Sequence, residues 1–213
     1  MLMRDDPIPN TIATYDNIAD FYSSSMDMFT PHDDRKMFLA GLESNARILD
    51  VGCAAGRDSV YFTANGHTTV GIDLSQKLLA IARKRAPNLI FLHDDIRKKM
   101  FPDGSFDAVW ACAVLLHQRR EEIPMILKNF HDVLSKNGWL YVRVKEGVGE
   151  EDIAEKLSKN QRRHFIYFTL DELQDFIRNA GFEIEKAFRS NEKDMNKELR
   201  DIWWVTVIAR KTS

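Results

Sequence analysis

Apolar residues fall along this chain in short dense runs, separated by longer segments in which they recur every three or four positions. The runs at about 46–52, 68–74, 89–93, 106–111 and 139–144 are rich in Ile, Val, Leu and aromatic residues and predict strands. Helices are predicted between them, from Arg57 to Ala64 with a stop at Gly66, from Ser75 as N-cap to about Arg85, and from about Arg120 to Leu134. Pro87 blocks continuation of the second of these, and Pro102-Asp103-Gly104 turns the chain into the fourth strand.

The two ends of the chain read differently. Tyr15, Ile18, Ala19 and Tyr22 recur at helical spacing and predict one helix from Thr14, as N-cap, to Phe29. A shorter helix is expected from Asp33 to Leu42. Between Glu146 and Phe168 charge and glycine break the strand-helix rhythm, and we read an insertion over the site. Thr169-Leu170-Asp171-Glu172 resembles a capping box for a helix reaching Ala180 and closed by Gly181. Two consecutive strands, 182–188 and 202–210, then suggest a hairpin ending an otherwise parallel sheet. The sum is an α/β fold of seven strands with helices on both faces. A single domain is expected over 1–213: a helical cap to residue 45, a core from 46 to 145, the insertion 146–168, and a final helix and hairpin from 169.

Composition narrows the class. The chain has 213 residues, 44% hydrophobic, with a formal net charge of −2. This balance argues against a dedicated nucleic-acid surface. No apolar run approaches the roughly 20 residues of a membrane span. Charge at Arg4, Asp5 and Asp6 occupies the place of a signal peptide's apolar region. Cys53 and Cys112 make no disulfide framework, and a reducing, cytoplasmic location is expected with no membrane partner. The sequence leaves the oligomeric state open.

The chemistry concentrates in Arg47-Ile48-Leu49-Asp50-Val51-Gly52-Cys53-Ala54-Ala55-Gly56, a strand running into a Gly-x-x-x-Gly turn and a helix. Asp73 ends the next strand, 21 residues after Gly52. Glycines admit a ligand close to the backbone, and a strand-end carboxylate can accept hydrogen bonds from both hydroxyls of a ribose. A dinucleotide site wants Gly-x-Gly-x-x-Gly, but Ala54 and Arg57 stand where its second and third glycines belong. The run from Leu49 to Gly56 instead resembles the first motif of class I S-adenosylmethionine-dependent methyltransferases, usually Asp-Val-Gly-Cys-Gly-x-Gly. The likeness extends over nearly the whole chain, nearest to the small-molecule methyltransferases.

The resemblance implies a Rossmann-like seven-stranded sheet in the order 3-2-1-4-5-7-6, with strand 7 antiparallel and a crevice at the carboxyl ends of strands 1 and 4. It implies S-adenosyl-L-methionine as cofactor, with Gly52, Cys53, Ala54 and Gly56 around its methionine part and Asp73 on its ribose. Asp95 is the expected partner of the adenine amino group, with Asp94 as the alternative, and Leu74 and Ile96 would sandwich the ring. Ala111-Cys112-Ala113-Val114 lacks the Asn- or Asp-Pro-Pro-Tyr/Phe of DNA and protein amide amino-methyltransferases. Ala111 before Cys112 also departs from the Pro-Cys of cytosine C5 enzymes, so both residues, like Cys53, are expected to line the cofactor.

His117 follows, where many small-molecule members hold a His facing the methyl group; it is either a general base or a wall of the pocket. Tyr15 and Tyr22, seven apart, would share one helical face toward cofactor or substrate, or else serve the core. Arg57 would meet the cofactor carboxylate or Asp58. Lys145 stands at the rim, where it would meet an anionic substrate or only solvent, and Tyr167 is expected at the substrate. Arg97-Lys98-Lys99 and Arg162-Arg163-His164 read as solvated faces. The expected activity is methyl transfer to N or O of a small-molecule acceptor. Two other readings stay open: a non-catalytic S-adenosylmethionine-binding protein and a nicotinamide-dependent oxidoreductase.

Overall fold

The computed structural model describes residues 6–28, 32–99, 101–195 and 200–212. In chain order its elements are α1 (Ile8–Asn17), α2 (Ala19–Met28), α3 (His32–Leu39), β1 (Arg47–Val51), α4 (Arg57–Ala64), β2 (Thr68–Asp73), α5 (Gln76–Arg85), β3 (Ile90–His93) and β4 (Phe106–Cys112). There follow α6 (Ile123–Val133), β5 (Leu134–Lys145), β6 (Glu150–Ala154), β7 (Arg162–Ile166), α7 (Leu170–Asn179), β8 (Phe182–Asn191), α8 (Glu192–Met195) and β9 (Trp203–Lys211). Seven strands form one sheet in the order β3-β2-β1-β4-β5-β9-β8. β1 to β5 run parallel, and β9 is antiparallel to both neighbours. With β9 as the seventh strand of the sheet and β8 as the sixth, this is the expected order.

Period-two alternation sorts the sheet's side chains to two faces. Leu49, Val51, Val109, Ala111, Leu140, Val142 and Val144 join one apolar cluster with Ile126 and Phe130 of α6 and Leu173 and Ile177 of α7. Ile48, Ala108, Trp110, Tyr141 and Ile208 point the other way, onto Phe38 of α3 and Phe62 of α4. Trp110 and Tyr141 stack there with ring centroids 3.7 Å apart. Both faces are therefore covered, as a parallel sheet requires.

The N-terminal region corrects two expectations. Helix begins six residues before Thr14, with Pro7 and Pro9 tolerated in the first turn, where no backbone N–H is needed. It then breaks at Ile18, so Tyr15 and Tyr22 belong to two helices rather than to two turns of one. Thr14 is no N-cap: its hydroxyl donates to the Arg162 carbonyl at 2.8 Å, while the Thr11 hydroxyl accepts from His164 N–H at 3.1 Å. One turn apart on α1, these two threonines satisfy the free edge of β7.

The insertion also holds more order than its composition suggests, since 150–154 and 162–166 pair as an antiparallel hairpin. The final helix carries half of the expected capping box. The Thr169 side chain accepts from Glu172 N–H, whereas the Glu172 carboxylate turns to Arg120.

Asp16 latches this cap to the core. It accepts from the Ser75 hydroxyl at 2.6 Å and from Lys77 N–H at 3.2 Å, while Ser75 itself caps α5 through Leu78 N–H. Asp16→Ala and Ser75→Ala should each cost about 0.5–2 kcal/mol of stability, as lost helix caps do. In urea denaturation the double variant should lose less than the sum, because the two share one hydrogen bond.

Candidate functional site

The turn after β1 is built from left-handed backbone. Gly52, Ala54 and Gly56 have φ of 69°, 48° and 75°. A Cβ on Gly56 would lie 2.8 Å from the Phe91 ring, so that position admits only glycine. Ala54 takes the same region at a cost of roughly 1–2 kcal/mol, and its N–H donates to Asp73 Oδ2 at 2.9 Å. Ser75 N–H donates to Oδ1 of the same carboxylate at 2.8 Å. The turn and the end of β2 are thus tied through Asp73, which burial pushes toward its protonated form. Ala113, just past β4, is a second alanine at positive φ, 58°.

Two chambers open at the carboxyl edge of the sheet, beside β1 and β4 where the strand order reverses. The smaller is lined by Ile72, Asp73, Leu74, Asp94, Ile96 and Gln118, with Ile8, Thr11 and Ile12 of α1 above. The larger lies toward β5 and the hairpin and includes Arg57, Arg143, Lys145, Glu155, Arg163 and Trp204. Tyr15, Tyr22, Gly52, Ala54, Cys112, Ala113 and His117 line both. Both strained alanines therefore stand at the junction.

His117 is held at both ring nitrogens. Nδ1 lies 2.7 Å from the His164 carbonyl, which can only accept, so Nδ1 carries the proton. Nε2 is then the acceptor for the Tyr15 hydroxyl at 2.8 Å, and that hydroxyl in turn accepts from Arg163 at 2.8 Å. Burial, then the Arg163 charge, lowers the His117 pKa to about 3. The ring is neutral at pH 7, with its Nε2 lone pair facing the junction.

The larger chamber is rich in charge. Arg57, Arg85, Arg143, Lys145, Arg163 and Arg200 line it, against Asp27, Asp50, Asp58, Glu155 and Glu192. Burial and then the Asp58 charge push Asp50 toward its protonated form. Several of the cations are tied: Arg57 to Asp58, Arg143 to Asp34, Lys145 and Arg163 to Glu155.

Residues 48–138 match a family model described as a methyltransferase domain. The chain is 29% identical over 181 residues to a 27-O-demethylrifamycin SV methyltransferase of Amycolatopsis mediterranei, covering 80% of this chain and 64% of that protein. It is 31% identical over 132 residues to a putative methyltransferase of Bacillus subtilis, covering 59% and 53%. A Burkholderia thailandensis 1,6-didemethyltoxoflavin-N1-methyltransferase, solved with 1,6-didemethyltoxoflavin and S-adenosylhomocysteine, superposes with a TM-score of 0.75 at 21% identity, over 100% of this chain and 93% of that one.

The chain therefore resembles the class I S-adenosylmethionine-dependent methyltransferases, in sequence through residues 48–138 and in structure through its fold. It spans between about half and two thirds of the length of those two curated relatives, 53% and 64%.

The residues present fit the family's cofactor. Gln118 Oε1 is a buried acceptor with no hydrogen-bond partner among the described residues, in the wall of the smaller chamber, and suits an amino group such as that of adenine. Asp73, Leu74 and Ile96 line the same chamber. Gly52, Ala54, Cys112, Tyr15, Tyr22 and His117 line the junction, while Cys53, Arg57 and Lys145 line the larger chamber. No helix among the described residues is long and apolar enough to cross a membrane.

Other expected site residues lie elsewhere in this chain. Asp95 turns away and forks onto Arg97 at 2.7–3.0 Å; Asp94 lines the smaller chamber in its stead. Ala111 is buried in the sheet behind the site, and Gly56 shapes the turn without lining either chamber. The Tyr167 hydroxyl points out to Glu151. Arg163 is not on a solvated face: β7 alternation leaves Arg162 exposed and turns Arg163 inward, 5% exposed.

Sequence reading missed Arg143, Gln118 and Glu155. The signal for Arg143 was present, because Tyr141, Arg143 and Lys145 alternate with Leu140, Val142 and Val144 along β5, so one face of a buried strand ends in two cations. The neutral Nδ1–H form of His117 makes a direct check. Nitrogen-15 NMR of ring-labelled protein should show no titration of this ring between pH 8 and pH 5. A midpoint near 6.5, the ordinary value for His, would contradict it.

Proposed function

We propose that this protein binds S-adenosylmethionine with its adenosine in the smaller chamber, and transfers the methyl group to N or O of a small molecule in the larger one. The observation that carries this reading is the junction: one His-Tyr pair lines both chambers at the switch point of the sheet. The names of a relative and a structural neighbour, a 27-O-demethylrifamycin SV methyltransferase and a 1,6-didemethyltoxoflavin-N1-methyltransferase, support a small acceptor attacked through O or N.

The cofactor supplies an electrophilic methyl group. The protein must align a nucleophile with it, take up the nucleophile's proton and keep water out. Asp73 holds the ribose hydroxyls with the lone pairs its two backbone bonds leave over. Asp94 and Gln118 receive the adenine amino group, and Leu74 and Ile96 hold the ring. Tyr15 and the β6–β7 hairpin cover the junction. The acceptor's proton passes to His117 Nε2, either directly when the acceptor displaces the Tyr15 hydroxyl or through that hydroxyl. The His164 carbonyl keeps the ring turned so that Nε2 stays available.

Calorimetry with S-adenosylhomocysteine tests the cofactor half. Asp73→Ala should weaken binding roughly ten- to a hundredfold, since charged hydrogen bonds are worth ~1.5–3 kcal/mol each. Asp94→Asn should weaken it more than Asp95→Asn, and the reverse order would return the adenine to Asp95. A metabolite screen read by release of S-adenosylhomocysteine tests the transfer half. With any acceptor so found, His117→Ala should cut turnover by ~10²–10⁴ while cofactor affinity stays nearly unchanged. An equal fall in cofactor affinity would make His117 a wall of the pocket.

A further inference from the structure

Glu155 is the meeting point of several cations in the larger chamber. Its Oε1 accepts from Lys145 Nζ at 2.5 Å and its Oε2 from Arg163 at 2.7 Å. Arg200 stands 3.8 Å from the same Oε2 while forked onto Glu192. Three cations thus gather around the Glu155 carboxylate. Lys145 and Arg163 are each only 5% exposed. Desolvating such charges costs about what their pairing returns, so stability alone is a weak reason for the cluster. Arg163 Nε is also buried without a hydrogen-bond partner among the described residues, which leaves this guanidinium a donor in reserve.

The cluster is assembled from separate elements. Lys145 ends β5 of the sheet, whereas Glu155 and Arg163 come from the hairpin segment that covers it. Glu155 follows β6 directly, where the chain turns into 156–158, so the insertion delivers its carboxylate onto the end of the sheet. The Phe165 ring lies against both cations, with Lys145 Nζ 3.8 Å and the Arg163 guanidinium carbon 5.1 Å from its centroid. Trp204 continues the apolar wall. Paired donors over an aromatic surface are the chemistry that recognises a carboxylate on an apolar body.

We infer that Lys145, Arg163 and Arg200 form an anion seat for the methyl acceptor, that the acceptor is an apolar small molecule bearing a carboxylate, and that Glu155 fills the seat until the acceptor arrives. The inference rests on the methyltransferase reading and names its acceptor class. A carboxylate seated there lies one side chain from the proton acceptor, because Arg163 donates to the Tyr15 hydroxyl and that hydroxyl to His117.

Benzoate, benzamide and benzylamine, titrated calorimetrically into protein saturated with S-adenosylhomocysteine, test this. Benzoate should bind more tightly than either of the others. Glu155→Gln should raise benzoate affinity roughly tenfold, the worth of one charge-assisted hydrogen bond. Lys145→Met and Arg200→Gln should lower it. Arg200 is about one-third exposed, so its variant keeps the test available where Lys145→Met does not fold. S-adenosylhomocysteine affinity should stay constant throughout. Equal benzoate affinity in Glu155→Gln and the parent, or a preference for benzylamine, would overturn the inference. So would loss of S-adenosylhomocysteine in the Lys145 or Arg200 variant, which would assign the seat to the cofactor's own carboxylate. Failure of the parent protein to bind S-adenosylhomocysteine would instead remove the methyltransferase reading itself.

Discussion

The site hangs on the two hydrogen bonds of one imidazole. His117 sits on the short turn after β4, donates through Nδ1 to the backbone of β7, and accepts at Nε2 from Tyr15 of α1. Three parts of the chain that are far apart in sequence, the core, the insertion and the cap, are thereby fixed to one ring. Each bond contributes about 1 kcal/mol net, but leaving either nitrogen unpaired in this apolar setting would cost more. Thr11 and Thr14 extend the same seam by closing the β7 edge. The cover of the chambers is thus held by polar side chains meeting backbone as well as by Phe165 and Ile166 of β7, which are buried in the main apolar cluster.

Strain collects at the same place. Ala54 and Ala113 both hold a left-handed backbone that disfavours a Cβ, and both line the junction. Such conformations persist where the surroundings over-determine them, and they gather at ligand sites. Here the surroundings are identifiable: Ala54 N–H is bound by Asp73, and Ala113 N–H by the Arg143 carbonyl. The turn after β1 and the end of β4 are therefore both fixed by hydrogen bonds within the chain itself.

Much of this was legible in the sequence because it depends on local pattern. Parallel strands buried on both faces write themselves as dense apolar runs, and the glycines of the Gly52–Gly56 turn announce the left-handed backbone that is tied to Asp73. What escaped depends on contacts between distant segments. No local signal separates Asp94 from Asp95; the choice is made by Arg97, which captures Asp95. The hairpin was hidden because its outward face is charged and its inward face holds Arg163, so the expected apolar alternation is missing. Arg163 is buried by virtue of Glu155 and Tyr15, neither of which its neighbours in sequence announce. The break at Ile18 likewise answers to tertiary packing, since Ile18 and Ala19 are both buried.

The proposed division of labour between the chambers rests on their walls. One is mostly apolar with a few fixed acceptors, Asp73, Asp94 and Gln118; the other is lined with paired charges and closed by the insertion. The claim that they are donor and acceptor compartments meeting at His117 is tested most directly by a crystal structure with S-adenosylhomocysteine. We expect the adenine between Leu74 and Ile96, the ribose on Asp73, and the sulfur at the junction bounded by Gly52, Tyr15 and His117. Adenine in the charged chamber, or a sulfur remote from His117, would contradict it.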